Sequence, residues 1–176
     1  MKIPERTQAS KNGLIEMCNY LSSVIDLKES ILFEIGSYTG VSTEVFCQRF
    51  KKVVAIDPWI SGIGEINDRV DMQEVYKRFV DRMCKYENLT VLKHYAQEVV
   101  DNFDDGSIDV VYIDGSHTYE NVKRDVLLWK DKVRKEGFVT GHDYWPGKFE
   151  GVIRAVDEVF GKPDKVFSDT SWIVRV

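Results

Sequence analysis

The sequence predicts an α/β fold in which a mostly parallel, seven-stranded sheet is covered by helices on both faces and closes with an antiparallel hairpin strand. Short, nearly continuous apolar runs, typical of strands buried on both faces, alternate with segments of helical periodicity. Polar or glycine residues directly follow several of these runs. The last two runs, "KVFSD" and "WIVRV", flank a turn at Thr170, which indicates the hairpin.

The first half of the chain contains three predicted helices and three predicted strands. Apolar residues recur at helical spacing over residues 14–25, and "ILFEIG" then predicts the first strand. A helix follows Gly40, and "VVAID", ended by a proline, predicts the second strand. A helix over about residues 69–84 precedes the third strand, "LTVLK".

The second half repeats this alternation. A short helix near residues 97–102 precedes the strand "IDVVYID", and Thr118 is the expected N-cap of the next helix. Four residues are expected to share one apolar face of that helix: Val122, Val126, Trp129 and Val133. The strand "GFVTGHD" and a helix over residues 151–160 lead to the hairpin. Right-handed crossovers should join the parallel strands.

Composition and charge narrow the class of partner. With 176 residues, 43% of them hydrophobic, the chain predicts one domain over residues 1–176, whose residues 1–28 form an N-terminal helical segment that could act as a lid. A net charge of -5 disfavours a nucleic-acid partner, because phosphate backbones require a basic face. A small molecule is the expected partner.

The cysteines and the apolar runs point to the compartment. Cys18, Cys47 and Cys84 are too widely spaced to suggest a disulfide framework or a zinc site. The polar N-terminus does not resemble a signal peptide, and no apolar run is long enough for a membrane span. We therefore expect a cytoplasmic protein without a membrane partner.

The stretch "FEIGSYTG" lies where the first strand should turn into a helix. Gly36 and Gly40 bracket this turn, and without Cβ atoms they allow a ligand to approach the backbone. Asp57 ends the second strand about twenty residues later, the spacing at which an acid meets ribose hydroxyls in dinucleotide folds. A diphosphate is nevertheless disfavoured, because Tyr38 occupies the position of the middle glycine of a pyrophosphate cradle.

With Glu34, these residues match E/D-x-G-x-x-x-G, and the chain resembles the class I S-adenosylmethionine-dependent methyltransferases. The resemblance spans nearly the whole chain and implies their three-layer, Rossmann-like fold. It implies that the glycine turn contacts the methionine moiety, Asp57 the ribose, and the residues after the third strand the adenine. The implied cofactor-binding residues are Glu34, Gly36, Ser37, Tyr38, Gly40, Asp57, Pro58, Trp59, Tyr95, Ala96, Gln97 and Asp114.

Two later stretches, "VYIDGSHTYENVKRDVLLW" and "GFVTGHDYW", resemble small bacterial families related to macrolide-sugar O-methyltransferases and cephalosporin-hydroxylase-like proteins. In this resemblance Asp114 and Asp143 could hold Mg²⁺ or another divalent metal. His142 stands where metal-dependent relatives tend to have an acid, and it would suit a softer transition metal. The alternative is that both aspartates only brace turns and loops.

The implied reaction transfers a methyl group from a sulfonium to an oxygen of a small hydroxylated metabolite such as a sugar. His117 is the candidate base, because its side chain titrates near neutrality. Two alternatives stay open, an NAD-dependent oxidoreductase and a cofactor-binding domain without catalysis. The N-terminal segment and residues 58–69 are expected to cover the pocket. In a homo-oligomer, a second subunit could complete either of these two covering segments.

Overall fold

The sheet has the predicted architecture. The structure is a computed structural model that describes residues 3–60 and 70–176. Its strands lie in the order β3-β2-β1-β4-β5-β7-β6, and β7 is antiparallel to both of its neighbours while the other pairs are parallel. The strands are β1 Ile31–Ile35, β2 Lys52–Ile56, β3 Leu89–Leu92, β4 Ile108–Ile113, β5 Val133–Gly141, β6 Lys165–Val166 and β7 Trp172–Arg175. The predicted fold class is confirmed.

Helices cover both faces of this sheet. They are α1 Gln8–Ser22, α2 Val41–Cys47, α3 Met72–Met83, α4 Ala96–Val99 with a following 3₁₀ turn Val100–Asn102, α5 Tyr119–Lys130 and α6 Glu150–Phe160. Successive strand residues point to opposite faces. Leu32 therefore packs with α1 and α2, whereas Phe33 packs with α5 and α6. None of the helices in these described ranges is long and apolar enough to cross a membrane.

The prediction for α5 was wrong at one residue, Val133. Val133 is not on the helix, because α5 ends at Lys130 and a turn from Trp129 to Lys132 returns the chain to the sheet, where Val133 begins β5. Thr118 is at the N-cap position, but its side chain makes no capping hydrogen bond. The predicted helix over residues 69–84 is confirmed from Met72 onwards, and its start at residue 69 lies outside the described residues.

The strand order reverses between β1 and β4. Open α/β sheets bind ligands just beyond the carboxyl ends of the strands at such a point, and we term this region the crevice. Gly36 follows β1 with a φ of +89°, and a Cβ there would lie 2.5 Å from the Asp114 carbonyl oxygen. No other residue type fits at Gly36, because both the backbone conformation and the contact exclude a side chain. The two strand ends therefore lie directly against each other.

Candidate functional site

Asp57 joins the loops that follow β1 and β2. Its carboxylate accepts the backbone amide of Tyr38 at 2.9 Å through Oδ2 and that of Trp59 at 2.7 Å through Oδ1. Both residues have left-handed backbones, with φ of 48° and 47°. The indole of Trp59 donates to the Tyr38 carbonyl at 2.8 Å, which adds a third link. One buried carboxylate thus fixes two unfavourable backbone conformations beside the crevice.

Glu34 supports the β1 loop from below. Its side chain is fully buried and accepts hydrogen bonds from the hydroxyls of Ser37, Ser42 and Thr43. Burial raises the pKa of Glu34 to about 7, although these three hydroxyls act in the opposite direction. The structure therefore places Glu34 beneath the glycine turn and not on the surface of the crevice.

The remaining residues expected at the cofactor lie along the same edge of the sheet. Pro58 follows Asp57, and Tyr95 is the N-cap of α4, just beyond β3. Ala96 is buried and Gln97 is exposed. Because β3 pairs with β2 and β2 with β1, the residues after these three strands form a continuous rim.

Trp59 has a different environment from the one expected. Its side chain is 4% exposed and packs against Tyr76 and Phe79 of α3, with ring centroids 4.9 and 4.7 Å away. The ring is thus part of the apolar cluster that includes Phe79 and Met72. Trp59 therefore anchors its loop to α3.

A second group of residues lies at the ends of β4 and β5. Potential metal-ligating atoms of Asp114, His117 and Asp143 lie within 4.8 Å of one another. The Nε2 atom of His117 is 2.7 Å from Oδ2 of Asp143, and its ring stacks on Phe149 at 4.4 Å between centroids. Asp143 has a left-handed backbone, with φ of 62°. This conformation turns its carboxylate towards the residues after β4.

His142 is expected from the sequence as a metal ligand, but its contacts favour a different role. Its Nδ1 atom is 3.0 Å from an oxygen of Asp143 and 3.7 Å from one of Asp114. Although burial lowers its pKa, Asp114 and the hydrogen bond to Asp143 outweigh burial, so the pKa of His142 is raised. Among the described residues, the group whose potential ligand atoms lie within 4.8 Å of one another contains His117 and not His142. The geometry thus favours His117 over His142 as the nitrogen ligand beside the two aspartates.

Arg6 belongs to the site although the sequence analysis did not identify it. Its guanidinium donates to the Asp114 carboxylate and, at 3.0 Å, to the Tyr112 hydroxyl. The sequence predicts that the N-terminal segment covers the pocket, but a single arginine in a polar stretch carries no motif. Tyr144 adjoins Asp143 in sequence, yet its hydroxyl donates to Asp157 of α6 and ties the loop to that helix.

The span from Phe33 to Tyr144, which carries both the β1 loop and the acidic ends of β4 and β5, matches the family described as "Methyltransferase domain". The chain belongs to this methyltransferase family. Dependence on S-adenosylmethionine is a general property of the family. The membership favours a methyltransferase over the oxidoreductase alternative.

Two curated relatives are each 27% identical to the chain: an uncharacterized protein of Sinorhizobium fredii over 124 residues and one of Acanthamoeba polyphaga mimivirus over 131 residues. The matches cover 66% and 70% of this chain but only 13% and 56% of those proteins. The chain therefore spans a small part of the first and about half of the second.

Solved structures share the fold at low sequence identity. A TDP-rhamnose 3'-O-methyltransferase of calicheamicin biosynthesis superposes with a TM-score of 0.63 at 13% identity, covering 96% of this chain and 80% of that one. An S-adenosylmethionine-dependent O-methyltransferase from Thermotoga maritima gives 0.55 at 14% identity, covering 81% and 49%. A Haemonchus contortus phosphoethanolamine N-methyltransferase bound to S-adenosylhomocysteine gives 0.53 at 17% identity, covering 77% and 27%.

Glu34 should make stability depend on pH. The pKa of Glu34 is raised to about 7 in the folded state. Its contribution to stability is therefore fully present at a pH below the pKa of unfolded Glu34, and it is lost as the pH rises to about 7. We expect the unfolding free energy of the wild type, relative to Glu34→Gln, to fall by about 3 kcal/mol between acidic and neutral pH. Urea denaturation of both proteins across this range measures the difference, in which other titrating groups cancel. Parallel pH profiles would contradict the prediction.

Proposed function

We propose that the chain binds S-adenosylmethionine across the crevice and transfers its methyl group to a hydroxyl of a small metabolite, with His117 as the base. The proposal rests on one juxtaposition. The glycine turn and Asp57 lie at the ends of β1 and β2, and the His117–Asp143 pair lies at the ends of the adjacent strands β4 and β5. A methyl donor on the first group would face a proton acceptor on the second.

The β1 loop suits a cofactor without a diphosphate. A diphosphate is usually held by backbone amides that point outward from such a turn. Here the amide of Gly36 donates to the Ile56 carbonyl, that of Tyr38 to Asp57 and that of Gly40 to the Ser37 carbonyl. Because these three amides are used within the protein, they are not available to bind phosphate oxygens. This supports S-adenosylmethionine and argues against NAD.

Ligand-dependent melting tests the cofactor assignment. At a hundredfold excess over its dissociation constant, S-adenosylhomocysteine should raise the Tm by about 5–10 °C, whereas NAD should not shift it. Asp57→Ala should weaken S-adenosylhomocysteine binding at least about tenfold, because a ribose diol loses its charged acceptor. Asp104→Ala, an exposed acid before β4, is the matched control. A shift with NAD alone would overturn the assignment.

In this proposal, Asp143 orients His117 for proton transfer. In the proposed step, the His117 imidazole takes the proton from the acceptor hydroxyl as the hydroxyl oxygen bonds to the methyl carbon and the carbon–sulfur bond breaks. The Asp143 carboxylate, 2.7 Å from Nε2, would stabilise the imidazolium that forms. The stacked Phe149 holds the imidazole plane. S-adenosylmethionine, when bound, supplies an electrophilic methyl group on a sulfonium.

A divalent metal is a second candidate for activating the hydroxyl, and the convergence of Asp114, His117 and Asp143 favours it. Two carboxylates and one imidazole suit Mn²⁺ or a similar transition metal better than Mg²⁺, which prefers oxygen ligands alone. When bound, the metal would lower the pKa of an acceptor hydroxyl. With the metal bound, His117 would be a metal ligand and not the base.

An aromatic surface adjoins His117 and suits a ring-shaped acceptor such as a sugar. Trp145 is 46% exposed, and its ring lies edge-on to Phe149, which in turn stacks on His117. The ammonium group of Lys148 lies 4.2 Å from the Trp145 ring centroid. This surface combines a flat apolar face with a positive charge, so a hydroxylated ring that carries a phosphate or carboxylate fits it best.

The base assignment predicts that His117→Gln retains S-adenosylhomocysteine binding but loses methyl transfer by at least about a hundredfold, the usual contribution of a general base. The acceptor is first identified by screening hydroxylated metabolites for S-adenosylhomocysteine formation. His94→Gln is the matched control, because its side chain is exposed beyond β3. Unchanged turnover of the His117 variant would reject His117 as the base.

The acceptor surface predicts that Trp145→Ala raises KM for that acceptor about tenfold with little change in kcat, because stacking contributes mainly to binding. Trp145→Phe keeps an aromatic face and should stay near the wild type. An equal loss of kcat in both variants would instead show that the loop positions His117 and does not bind the acceptor.

A further inference from the structure

Residues 3–6, which we term the N-terminal strap, run across the carboxyl edge of the sheet from α3 to β4. Ile3 is buried with Trp59, Met72 and Phe79. The Glu5 carboxylate accepts from Arg82 of α3, with both oxygens 3.1 Å from Nη2. Arg6 then reaches the carboxylate of Asp114. The strap is thus attached to α3 and the Trp59 loop by an apolar contact and an ion pair, and to Asp114 through Arg6.

Arg6 is a specific component of the site. Besides Asp114 and Tyr112, its guanidinium donates to the Ser10 hydroxyl at 3.1 Å and lies 3.7 Å from a carboxylate oxygen of Asp169. Its side chain is only 14% exposed. A buried guanidinium with several fixed acceptors differs from a surface arginine, because moving it leaves two buried carboxylates without this cation.

Asp114 also belongs to the group of three residues that could hold a metal. One of its oxygens is paired with Arg6, and the other is 3.7 Å from Nδ1 of His142. A divalent cation on Asp114, His117 and Asp143 would therefore lie next to the guanidinium of Arg6 in a largely buried site. Two cations that share one carboxylate repel strongly where water is scarce.

We infer that Arg6 and a divalent cation are alternative partners of Asp114, so that binding of the cation releases the Arg6 end of the N-terminal strap. The inference rests on the metal-assisted form of the proposed function. It makes the Arg6 end of the strap responsive to the cation, while the contacts of Ile3 and Glu5 hold the other end in place. In this scheme, His117 binds the metal only after Arg6 has left Asp114.

Mn²⁺ titration of the full chain, followed by electron paramagnetic resonance of the free ion, tests this competition. Arg6→Gln should bind Mn²⁺ at least tenfold more tightly than the wild type, whereas Arg6→Lys, which keeps the charge, should stay within threefold of it. Glu5→Gln, which loosens the other end of the strap, should leave the affinity unchanged. Asp114→Asn should abolish binding in either background.

Trypsin provides a second readout on the wild type alone, which does not depend on the folding of a variant. The Arg6–Thr7 bond should be protected without metal and cleaved at least tenfold faster with saturating Mn²⁺, as mass spectrometry of the fragment beginning at Thr7 would show. The same cleavage rate with and without Mn²⁺ would overturn the inference. The inference would also be overturned if Arg6→Gln bound Mn²⁺ no more tightly than the wild type, or if neither protein bound Mn²⁺.

Failure of this inference differs from failure of the proposed function. S-adenosylhomocysteine affinity, measured by calorimetry on the same wild-type sample, reports on the methyl-donor half of the crevice independently of Mn²⁺. Retained S-adenosylhomocysteine binding without any effect of Mn²⁺ overturns the competition and leaves the metal-free mechanism. Loss of both removes the proposed function itself.

Discussion

The arrangement of the crevice depends on the hydrogen bonds that the Asp57 carboxylate accepts from the amides of Tyr38 and Trp59. A left-handed backbone costs a residue other than glycine about 1–2 kcal/mol, so the two loops would relax without compensation. Hydrogen bonds to a charged group stabilise by about 1.5–3 kcal/mol each, which is enough to offset that cost. Burial raises the pKa of Asp57, while backbone amides oppose that rise. The carboxylate is thus part of the loop architecture before any ligand binds.

The sheet register brings the loops that Asp57 joins beside the residues that follow β4 and β5. Ile35 pairs with Ile56 on one side and with Ile113 on the other, and Ile113 pairs with Gly141. The residues that follow these strands therefore begin at the same height along the sheet. Contact between Gly36 and the Asp114 backbone fixes the two central strand ends against each other. A ligand on the β1 loop would therefore lie next to the acidic cluster because of strand pairing.

The sequence predicted the sheet and the rim correctly because both depend on local patterns. Buried parallel strands appear as apolar runs, and turn residues mark where they end. Side-chain directions in the rim were less accessible. Trp59 packs on α3 and Asp143 contacts His117, and both residues have left-handed backbones, which no apolar pattern reveals.

Arg6 could not be found from the sequence, because its contacts with Asp114 and Asp169 join residues more than a hundred positions apart. Its importance follows from charge balance. Three acids, Asp114, Asp143 and Asp169, lie close together with little exposure, and each such charge needs a nearby cation. Arg6 lies within 4 Å of Asp114 and Asp169, and the His142 imidazole lies within 4 Å of all three acids. A divalent ion on Asp114 would meet the Arg6 guanidinium, with which Asp114 already pairs. The distinction between metal-free and metal-assisted chemistry thus depends on whether Arg6 stays on Asp114 when the site is loaded.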